Sequence, residues 1–545
     1  MKITGAQAIV TCLKENNVEV VFGYPGGAIL PVYDSLITSG IRHVLVRNEQ
    51  GAAHNASGYA RATGKVGVCI ATSGPGATNL ITGIATAYMD SIPIIAITGQ
   101  VPLQMIGRDV FQEVDITGAI EPFCKHSYLV KDAGEIPRIM AEAFYIAKSG
   151  RPGPVLIDIP KDVAQQSIQY KYPEKVELRG YKPTIAGHPL QIKKVVQAIS
   201  ECTRPVICVG GGVISANAGE EVLTLSEMIQ APVVNTLMGK GAFPENHFLY
   251  SGMVGQHGSA AANKAVSQSD LLIILGARLG DRATGNVDHF ATKAKIIHID
   301  VDPAEIGKNV STKIPIVGDI KHTLGLLIRH QPTRMENDWG NQVNQWKKKW
   351  AYPYAKGLSL NPRDILHRLS AMIDSQNSIL ATDVGQHQMW AGGHYRVERP
   401  RSFITSGGLG TMGYGLPAAI GAKLGDPEKE VILLTGDGSF QMSLQELAVL
   451  VQEDIAVKII LFNNNALGMV RELQRHYCEG RYYQVHMKGN PDFGILVSAY
   501  GIPYLKVDSP EALEKGLKGL LESSTSMLLE IAVDAEDYVV APSNK

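Results

Sequence analysis

The sequence has few cysteines, almost no net charge and no long apolar segment. Its six cysteines among 545 residues form no CxxC pair, which argues against a disulfide framework or a zinc site and favours a reducing compartment. A formal net charge of -1 gives no reason to expect nucleic acid or an anionic membrane as a partner. No run reaches the ~18 apolar residues of a membrane span, and the first residues show no targeting pattern. We therefore expect a cytoplasmic protein with no nucleic-acid or membrane partner.

The length and composition predict a globular protein of several domains. Hydrophobic residues make up 45% and charged residues 19% of the chain, as in folded proteins. A chain of this length is too long to fold around a single hydrophobic core, so we predict about three or four domains. Polar stretches near residues 165–190 and 330–358 are predicted to be linkers. We therefore divide the chain into domains at residues 1–168, 188–328 and 358–545, with no sequence repeat between them.

Apolar, β-branched runs alternate with helical patterns along the chain, which is typical of an α/β fold. The prediction is α/β, with three consecutive doubly wound parallel-sheet domains. Strands are predicted at 18–22, 44–46, 66–72, 92–97, 155–159, 205–209, 271–275, 296–300, 379–382, 431–435, 457–462 and 528–532, and helices at 5–17, 77–89 and 443–452, among others.

The last third carries a pattern that suits a metal bound to a diphosphate. Gly436-Asp437-Gly438 follows one predicted strand and Asn463-Asn464-Asn465 follows the next, with 26 residues between Asp437 and Asn464. A strand–helix–strand crossover brings both strand ends to one sheet edge, where open α/β sheets bind ligands. A carboxylate and an amide oxygen suit Mg²⁺, and the glycines let the backbone approach a diphosphate. The spacing resembles the thiamine diphosphate fingerprint, a GDG followed by an Asn pair.

Two further stretches favour a bound cofactor over a simple turn. Asp383-Val384-Gly385-Gln386-His387 follows a predicted strand and offers small residues with amide and imidazole groups to a diphosphate. Residues 406–413, SGGLGTMG, are too rich in glycine for a packed element and indicate backbone folded closely around a ligand.

Motifs in the first third resemble a known family: Gly23-Tyr24-Pro25-Gly26-Gly27, Asn48-Glu49-Gln50-Gly51-Ala52-Ala53, Ser73-Gly74-Pro75-Gly76 and Arg151-Pro152-Gly153-Pro154. They are similar to the pyrimidine-binding domain of the acetohydroxyacid synthase/pyruvate oxidase group of thiamine enzymes. The resemblance covers essentially the whole chain and implies pyrimidine-binding, central FAD-binding-like and diphosphate-binding domains in that order. Three further motifs make the resemblance more specific, to the large catalytic subunits of acetohydroxyacid (acetolactate) synthase. These motifs are Phe111-Gln112-Glu113, Pro160-Lys161-Asp162-Val163 and Gly276-Ala277-Arg278-Leu279-Gly280-Asp281-Arg282.

The resemblance implies roles for individual residues. Glu49 would hydrogen-bond the pyrimidine ring and activate the cofactor, which is acid–base work done through the cofactor. In the family this Glu serves a cofactor held by the neighbouring subunit, which implies a homodimer or a dimer of dimers. Thiamine diphosphate would be held by Gly385, Gln386, His387, Gly410, Met412, Gly436, Asp437, Gly438, Ser439 and Met469. Mg²⁺ would be held by Asp437, Asn464 and the backbone carbonyl of Ala466.

The resemblance also implies substrate and flavin contacts. Gln112 and Lys161 would line the substrate channel, Arg282 would hold the acceptor carboxylate in a bidentate contact, and Met412 would support the bent cofactor. FAD, without a redox role in turnover, would lie on the central domain and be held by Arg151, Gly210, Gly211, Gly212, His257, Arg278, Asp300 and Asp319. Asp300 follows a predicted strand, where dinucleotide-binding folds place a ribose-binding acid.

Three motifs depart from the family pattern. The family's GMHG reads Gly255-Gln256-His257-Gly258, and its GARFDDR has Gly280 in place of the first of its two Asp residues. Both differences bear on FAD. Its Met-Val-x-Gln-Trp-Gln has Leu473 in place of Trp. That difference bears on the choice of pyruvate or 2-ketobutyrate as acceptor, because one methylene contact is worth ~1–3 kcal/mol.

The implied reaction is decarboxylation of pyruvate on thiamine diphosphate and transfer of the hydroxyethyl unit to a second 2-ketoacid. The product would be 2-acetolactate or 2-aceto-2-hydroxybutyrate, in branched-chain amino acid biosynthesis, and a regulatory small subunit is left open. Alternatives are a flavin-free catabolic acetolactate synthase, a pyruvate oxidase or a decarboxylase. A nucleotide-binding oxidoreductase would leave Asp437 and Asn464 unexplained, since Gly210-Gly211-Gly212 is not a GxGxxG. A non-catalytic subunit would be expected to lack Glu49 or Asp437, and both are present.

Overall fold

The computed structural model describes residues 2–335 and 337–539. Three six-stranded parallel sheets, one in each third of the chain, form its framework, and helices lie between their strands. This confirms the predicted α/β class with three consecutive parallel sheets. The domain boundaries stay a prediction, and residues 540–545 of the third predicted domain lie outside the described residues.

The first sheet has the strand order β3-β2-β4-β5-β7-β6, and a short antiparallel pair, β1 and β8, lies beside it. The strands of this third of the chain are β1 (Lys2–Thr4), β2 (Val20–Gly23), β3 (Arg42–Leu45), β4 (Gly67–Ala71), β5 (Ile94–Gln100), β6 (His126–Leu129), β7 (Val155–Pro160) and β8 (Ser167–Gln169). Its helices are α1 (Gly5–Glu15), α2 (Leu30–Leu36), α3 (Glu49–Thr63), α4 (Pro75–Asn79), α5 (Ile81–Asp90), α6 (Ile116–Ile120), α7 (Ile136–Lys148) and α8 (Lys161–Gln165), with 3-10 turns at Leu103–Met105, Glu121–Phe123 and Ala133–Glu135. The single helix predicted at 77–89 is wrong, because the chain tightens at Leu80, whose N–H donates to the carbonyl of Ala77 three residues back.

The second sheet has the order β11-β10-β9-β12-β13-β14. Its strands are β9 (Pro205–Val209), β10 (Val233–Asn235), β11 (Tyr250–Met253), β12 (Leu271–Leu275), β13 (Lys295–Asp300) and β14 (Ile314–Val317). Its helices are α9 (Pro189–Glu201), α10 (Gly211–Ser215), α11 (Gly219–Met228), α12 (Ala260–Gln268), α13 (Asp281–Thr284) and α14 (Ile320–Arg329), with 3-10 turns at Leu237–Gly239 and Val287–His289. The strand order reverses between β9 and β12, which creates a crevice at their carboxyl ends.

The stretch at 330–358 is not the solvated linker that its polar composition predicts. Helix α15 (Trp339–Lys349) lies within it and buries Trp339 and Val343 against the second sheet. The Trp339 indole N–H donates to the carbonyl of Pro205 at 2.9 Å, and Lys347 donates to the carbonyl of Tyr250 at 2.8 Å. Few apolar side chains at helical spacing anchor this helix, so composition alone conceals it.

The third sheet has the order β16-β15-β17-β18-β20-β19. Its strands are β15 (Ser378–Thr382), β16 (Phe403–Ile404), β17 (Glu430–Gly436), β18 (Val457–Asn463), β19 (Tyr504–Val507) and β20 (Met527–Ala532). Its helices are α16 (Pro362–Met372), α17 (Gln386–His394), α18 (Gly415–Gly425), α19 (Asp437–Phe440), α20 (Leu447–Gln452), α21 (Gly468–Tyr477), α22 (Phe493–Ser498) and α23 (Pro510–Glu522), with a 3-10 turn at Leu444–Glu446. The helix predicted at 443–452 thus begins as a 3-10 turn.

The first and third sheets share one buried cluster, and helices α3 and α18 form its centre. The helices touch backbone to backbone, because a side chain at Gly58 would collide with the carbonyl of Ala418, and one at Gly421 with that of Asn55. This contact fixes the start of α3, where Glu49 lies, against the third sheet. Among the described residues no helix is long and apolar enough to cross a membrane.

Candidate active site

The structure brings Asp437 and Asn464 together at the carboxyl edge of the third sheet. Strands β17 and β18 are paired in parallel, with Gly436 opposite Phe462, so the residues that follow them are neighbours. The Asp437 carboxylate hydrogen-bonds the backbone of Gly438 and Asn464, while burial raises its pKa to about 6. A cation at this carboxylate would favour its charged form and offset that burial.

The predicted carbonyl ligand, Ala466, lies in a restrained turn. Asn465 has a left-handed backbone with φ 52°, and the N–H of Ala466 donates to Oδ1 of Asn464 at 3.1 Å. Ala466 also forms an antiparallel bridge with His486. The three predicted metal ligands therefore come from one strand end and one turn.

A cleft beside this edge contains buried polar atoms that have no partner within the described chain. Its lining runs from Val384 to Val533 and includes the predicted residues Gly385, Gln386, His387, Met412, Gly436, Asp437, Gly438, Ser439, Asn464, Ala466 and Met469. Oε1 of Gln386 and Nε2 of His387 are buried there without a hydrogen-bond partner among the described residues. Burial lowers the pKa of His387 to about 4, so its imidazole is neutral and can donate one proton to a ligand.

Close packing explains the glycines and the serine of this cleft. A side chain at Gly436 would lie 3.1 Å from the His387 ring, and one at Gly468 would collide with the Gln386 amide. The Ser439 hydroxyl accepts the N–H of Gly436 at 3.2 Å and so closes the turn. Bulkier residues here would displace the two side chains that face the cleft.

Hydrogen bonds to two aspartates hold the glycine-rich loop at 406–413 in place. The N–H of Gly408 donates to Asp90 at 2.7 Å, and that of Gly413 donates to Asp383 at 2.9 Å. Gly410 and Gly413 have left-handed φ values of 74° and 87°. The sequence assigned no role to Asp383, whose carboxylate fixes the loop that carries Met412.

Glu49 begins helix α3, and the groups nearest its carboxylate come from the first third of the chain. Asn79 donates to Oε2 of Glu49 at 2.9 Å, and a side chain at Gly76 would lie 3.3 Å from Oε1. Gln112 has φ 61° and packs its backbone against Gly74. Glu49 and Gln112 therefore flank the same Ser73–Gly76 turn, while Glu49 is not among the residues that line the cleft.

Lys161 follows the neighbouring strand of the same sheet. It is the first residue of α8, directly after β7, whose Pro160 pairs with Gln100 of β5. The parallel strands place Lys161 at the carboxyl edge that also holds the Gly23–Gly27 and Ser73–Gly76 motifs.

The predicted flavin residues gather in part at the crevice of the second sheet. Gly210, Arg278 and Asp300 follow or end the adjacent strands β9, β12 and β13. Burial raises the pKa of Asp300 to about 6, and burial lowers the pKa of Arg278. Arg151 reaches in from the first third and pairs with Asp302 at 3.1 Å and Glu305 at 2.8 Å.

Other predicted flavin residues have local structural partners. Side chains at Gly210 or Gly212 would collide with the backbone of Gly276, whereas one at Gly211 would meet Met238 only at 3.4 Å. The glycine turn is therefore already required by packing within the chain. Asp319 caps helix α14 by accepting the N–H of His322 at 2.8 Å.

Two positions that differ from the family pattern lie in adjoining segments. The N–H of Gln256 donates to the carbonyl of Arg282 at 2.9 Å, and the Arg282 guanidinium donates to the Gln256 amide at 2.7 Å. His257 follows, with its pKa lowered by burial and by Arg282. At Gly280 a side chain would meet nothing within 4 Å, so an Asp would fit there.

Comparison with known proteins assigns the family. Residues 3–119, 192–327 and 383–531 match the N-terminal, central and C-terminal domains of thiamine pyrophosphate enzymes. The chain is 50% identical to the probable acetolactate synthase large subunit of Methanocaldococcus jannaschii, over 99% of this chain and 93% of the relative. It is 48% identical to the acetolactate synthase of Arthrospira platensis, over 100% of this chain and 97% of the relative, and 45% identical to the acetolactate synthase large subunit of Haemophilus influenzae, over 99% and 96%. The chain therefore belongs to the acetolactate synthase family of thiamine diphosphate-dependent enzymes.

Proposed function

We propose that this chain, as an acetolactate synthase family member, decarboxylates pyruvate and transfers the two-carbon unit to a second 2-ketoacid. The product is 2-acetolactate or 2-aceto-2-hydroxybutyrate, in branched-chain amino acid biosynthesis. When bound, thiamine diphosphate supplies the electron sink for the decarboxylation. The observation that carries the proposal is the meeting of Asp437 and Asn464 beside two buried polar atoms, on Gln386 and His387, that lack partners among the described residues.

The cleft residues fit a diphosphate held through Mg²⁺. Asp437, Asn464 and the carbonyl of Ala466 offer the oxygen ligands that Mg²⁺ prefers. Gln386, His387, Ser439 and the glycines at 385, 436 and 438 line the cleft and would contact the diphosphate, and Met412 and Met469 would contact the cofactor through their apolar side chains. Gly410 would contact it from the glycine-rich loop outside the cleft lining. Loss of the Asp437 carboxylate would remove both a ligand and the charge that balances the metal.

The Glu49 carboxylate would hydrogen-bond the pyrimidine ring of a cofactor held by a second copy of the chain and so take the acid–base role. Asn79 of the first third donates to the Glu49 carboxylate, and Glu49 is not among the residues between 384 and 533 that line the cleft, which supports a site completed by two chains. Phe111, beside Gln112, is 86% exposed, and a neighbouring copy would cover it. The assembly is a homodimer or a dimer of dimers. Two of the relatives above are named large subunits, which supports a regulatory small subunit as a further partner.

The 2-ketoacid substrates reach the site between Glu49 and the cleft. Gln112 and Lys161 line the route, and Arg282 holds the acceptor carboxylate, since its side chain is 65% exposed and held by Gln256. Leu473 lies on α21, four residues after the cleft residue Met469, and is 37% exposed. It contacts the acceptor where the family has Trp.

The crevice of the second sheet would hold FAD, without a redox role in turnover. Arg278, Asp300 and Arg151 lie there. Nε2 of the neighbouring His298 is buried 3.9 Å from Oδ2 of Asp300 and has no hydrogen-bond partner among the described residues. The remaining contacts are Gly210, Gly211, Gly212, His257 and Asp319.

The protein is cytoplasmic, as the absence of a disulfide pattern in the sequence suggests.

Product identification tests the proposed reaction. The full-length protein is supplied with thiamine diphosphate, Mg²⁺ and FAD, then incubated with pyruvate alone and with pyruvate plus 2-ketobutyrate. We expect 2-acetolactate in the first case and an additional 2-aceto-2-hydroxybutyrate in the second, both identified by NMR. Acetaldehyde or acetate as the sole product would contradict the proposal.

A further inference from the structure

We propose that Asn490 is a positioning residue that orients the Asp437 carboxylate toward the metal. The inference rests on the proposed metal site and adds to it a residue outside the predicted ligand set. Asn490 lies 53 positions after Asp437 and far from it in sequence, yet its Nδ2 donates to Oδ2 of Asp437 at 2.7 Å. This hydrogen bond occupies one oxygen of the Asp437 carboxylate and so fixes the direction in which the other oxygen points.

The orientation of the Asn490 amide is itself fixed. Its Nδ2 also donates to Oδ1 of Asn465 at 3.1 Å, and its Oδ1 accepts Nε2 of Gln441 at 2.9 Å. Gln441 in turn donates to the backbone carbonyl of Asp437 at 2.9 Å. A flipped amide would place its oxygen against the carboxylate and its nitrogen against a donor, so only one orientation satisfies all three partners of the amide.

The segment that ends at Asn490 also braces the turn of the predicted carbonyl ligand. The N–H of Leu467 donates to Val485 and that of Met487 donates to Asn465, both at 2.8 Å, on either side of the bridge between Ala466 and His486. Residues 485–490 therefore lie along residues 465–467 and finish at the Asp437 carboxylate. One segment thus supports the carboxylate and the carbonyl that face the metal.

If Asn490 orients the Asp437 carboxylate, removing its side chain should lower the affinity of the protein for Mg²⁺. Partners that hydrogen-bond a metal ligand typically change affinity or activity by about 10–100-fold when removed. Since Asn490 acts through Asp437, its loss should weaken Mg²⁺ binding and leave the reaction intact once Mg²⁺ saturates the site.

The test uses the full-length protein with saturating thiamine diphosphate and titrates MgCl₂. Tryptophan fluorescence reports binding, because Trp390 lines the cleft. In Asn490→Ala we expect the Mg²⁺ Kd to rise about 10–100-fold, with near-normal kcat and an unchanged melting temperature at saturating Mg²⁺. Lys488→Ala, an exposed change in the same segment, serves as the matched control. Gln441→Ala, which frees the Asn490 amide to turn, should weaken Mg²⁺ in the same direction and provides a second variant.

Asp437→Ala separates the two possible failures. A normal Mg²⁺ Kd in Asp437→Ala would overturn the proposed metal site itself. Weak Mg²⁺ binding in Asp437→Ala with a wild-type Kd in Asn490→Ala would overturn only the role of Asn490. A lower melting temperature in Asn490→Ala with an unchanged Kd would likewise make Asn490 a structural residue and overturn the inference.

Discussion

Glu446 accepts a hydrogen bond from the backbone N–H of Asn48 at 3.1 Å, which joins the third sheet to the residue that caps the Glu49 helix. The same Oε1 accepts the N–H of Arg47 at 2.9 Å. Oε2 of Glu446 is buried without a partner among the described residues, and burial raises the pKa of Glu446 to about 7. The diphosphate-binding part of a chain therefore holds the start of the helix on which that chain's own Glu49 lies.

The raised pKa of Glu446 predicts a pH-dependent stability difference from Glu446→Gln. Between its ordinary value of 4.5 and about 7, the folded protein keeps a proton on Glu446 that the unfolded chain releases. The stabilisation is therefore fully present below about pH 4.5 and is lost as pH rises toward about 7. The melting temperature of the wild type should fall relative to Glu446→Gln across this window. A constant difference would contradict the assignment. Glu453→Gln, which removes the nearby ion pair with Arg42, controls for a weakened contact between the sheets.

Glu49→Gln should slow activation of the cofactor. The amide keeps the shape of the side chain but cannot hold the acidic proton, so deuterium exchange at the thiazolium carbon should slow by at least ~10²-fold. Exchange is followed by NMR after acid quench, with Glu121→Gln, an exposed change in the same third of the chain, as control. Wild-type exchange in Glu49→Gln would rule out the acid–base role.

The crevice of the second sheet predicts bound flavin. We expect the purified protein to show a visible flavin spectrum, or to regain activity when FAD is added after its removal. Arg278→Ala should retain less FAD because it removes a half-buried cation from the crevice, whereas the exposed Arg329→Ala should not. Full activity in rigorously flavin-free protein would favour the catabolic type.

Leu473 predicts weak discrimination between acceptors. An indole packs closely on the extra methyl of 2-ketobutyrate, and leucine is smaller, so Leu473→Trp should favour 2-ketobutyrate over pyruvate more strongly. The change should be ~1–3 kcal/mol, or roughly 10–200-fold in product ratio. Competition assays with both acceptors measure it, with Tyr477→Trp, which is 70% exposed and one turn further along α21, as control. An unchanged ratio in an active Leu473→Trp would show that another group sets the choice.

Sequence patterns locate elements and motifs well where the signal is local. The runs at 205–209 and 271–275 become β9 and β12 with the predicted bounds, because buried parallel strands are continuously apolar. The proximity of Asp437 and Asn464 could also be predicted, because the carboxyl ends of neighbouring parallel strands lie at the same edge of a sheet. Helix α15 is missed because its few buried side chains are hidden in a polar stretch.

Residues that act through long-range contacts carry no such signal. Glu446 is one acid in a helical stretch, and Asn490 is one amide in a loop. Their roles depend on Asn48 and Asp437, which lie 398 and 53 positions away. Only the folded arrangement reveals these partners, so neither residue could be predicted from spacing.

In the proposed assembly, Glu49 of one chain and the Asp437 cleft of another complete one active site. Glu49→Gln and Asp437→Ala, each inactive alone, should be co-expressed with different affinity tags and the hybrid dimer purified through both. One of its two sites would contain both changes, and the other would contain neither. We expect the hybrid to regain acetolactate synthesis at about half the wild-type rate per dimer, since one intact site remains of the two in a C2 dimer. An inactive hybrid that binds thiamine diphosphate and Mg²⁺ at its unaltered cleft would contradict it.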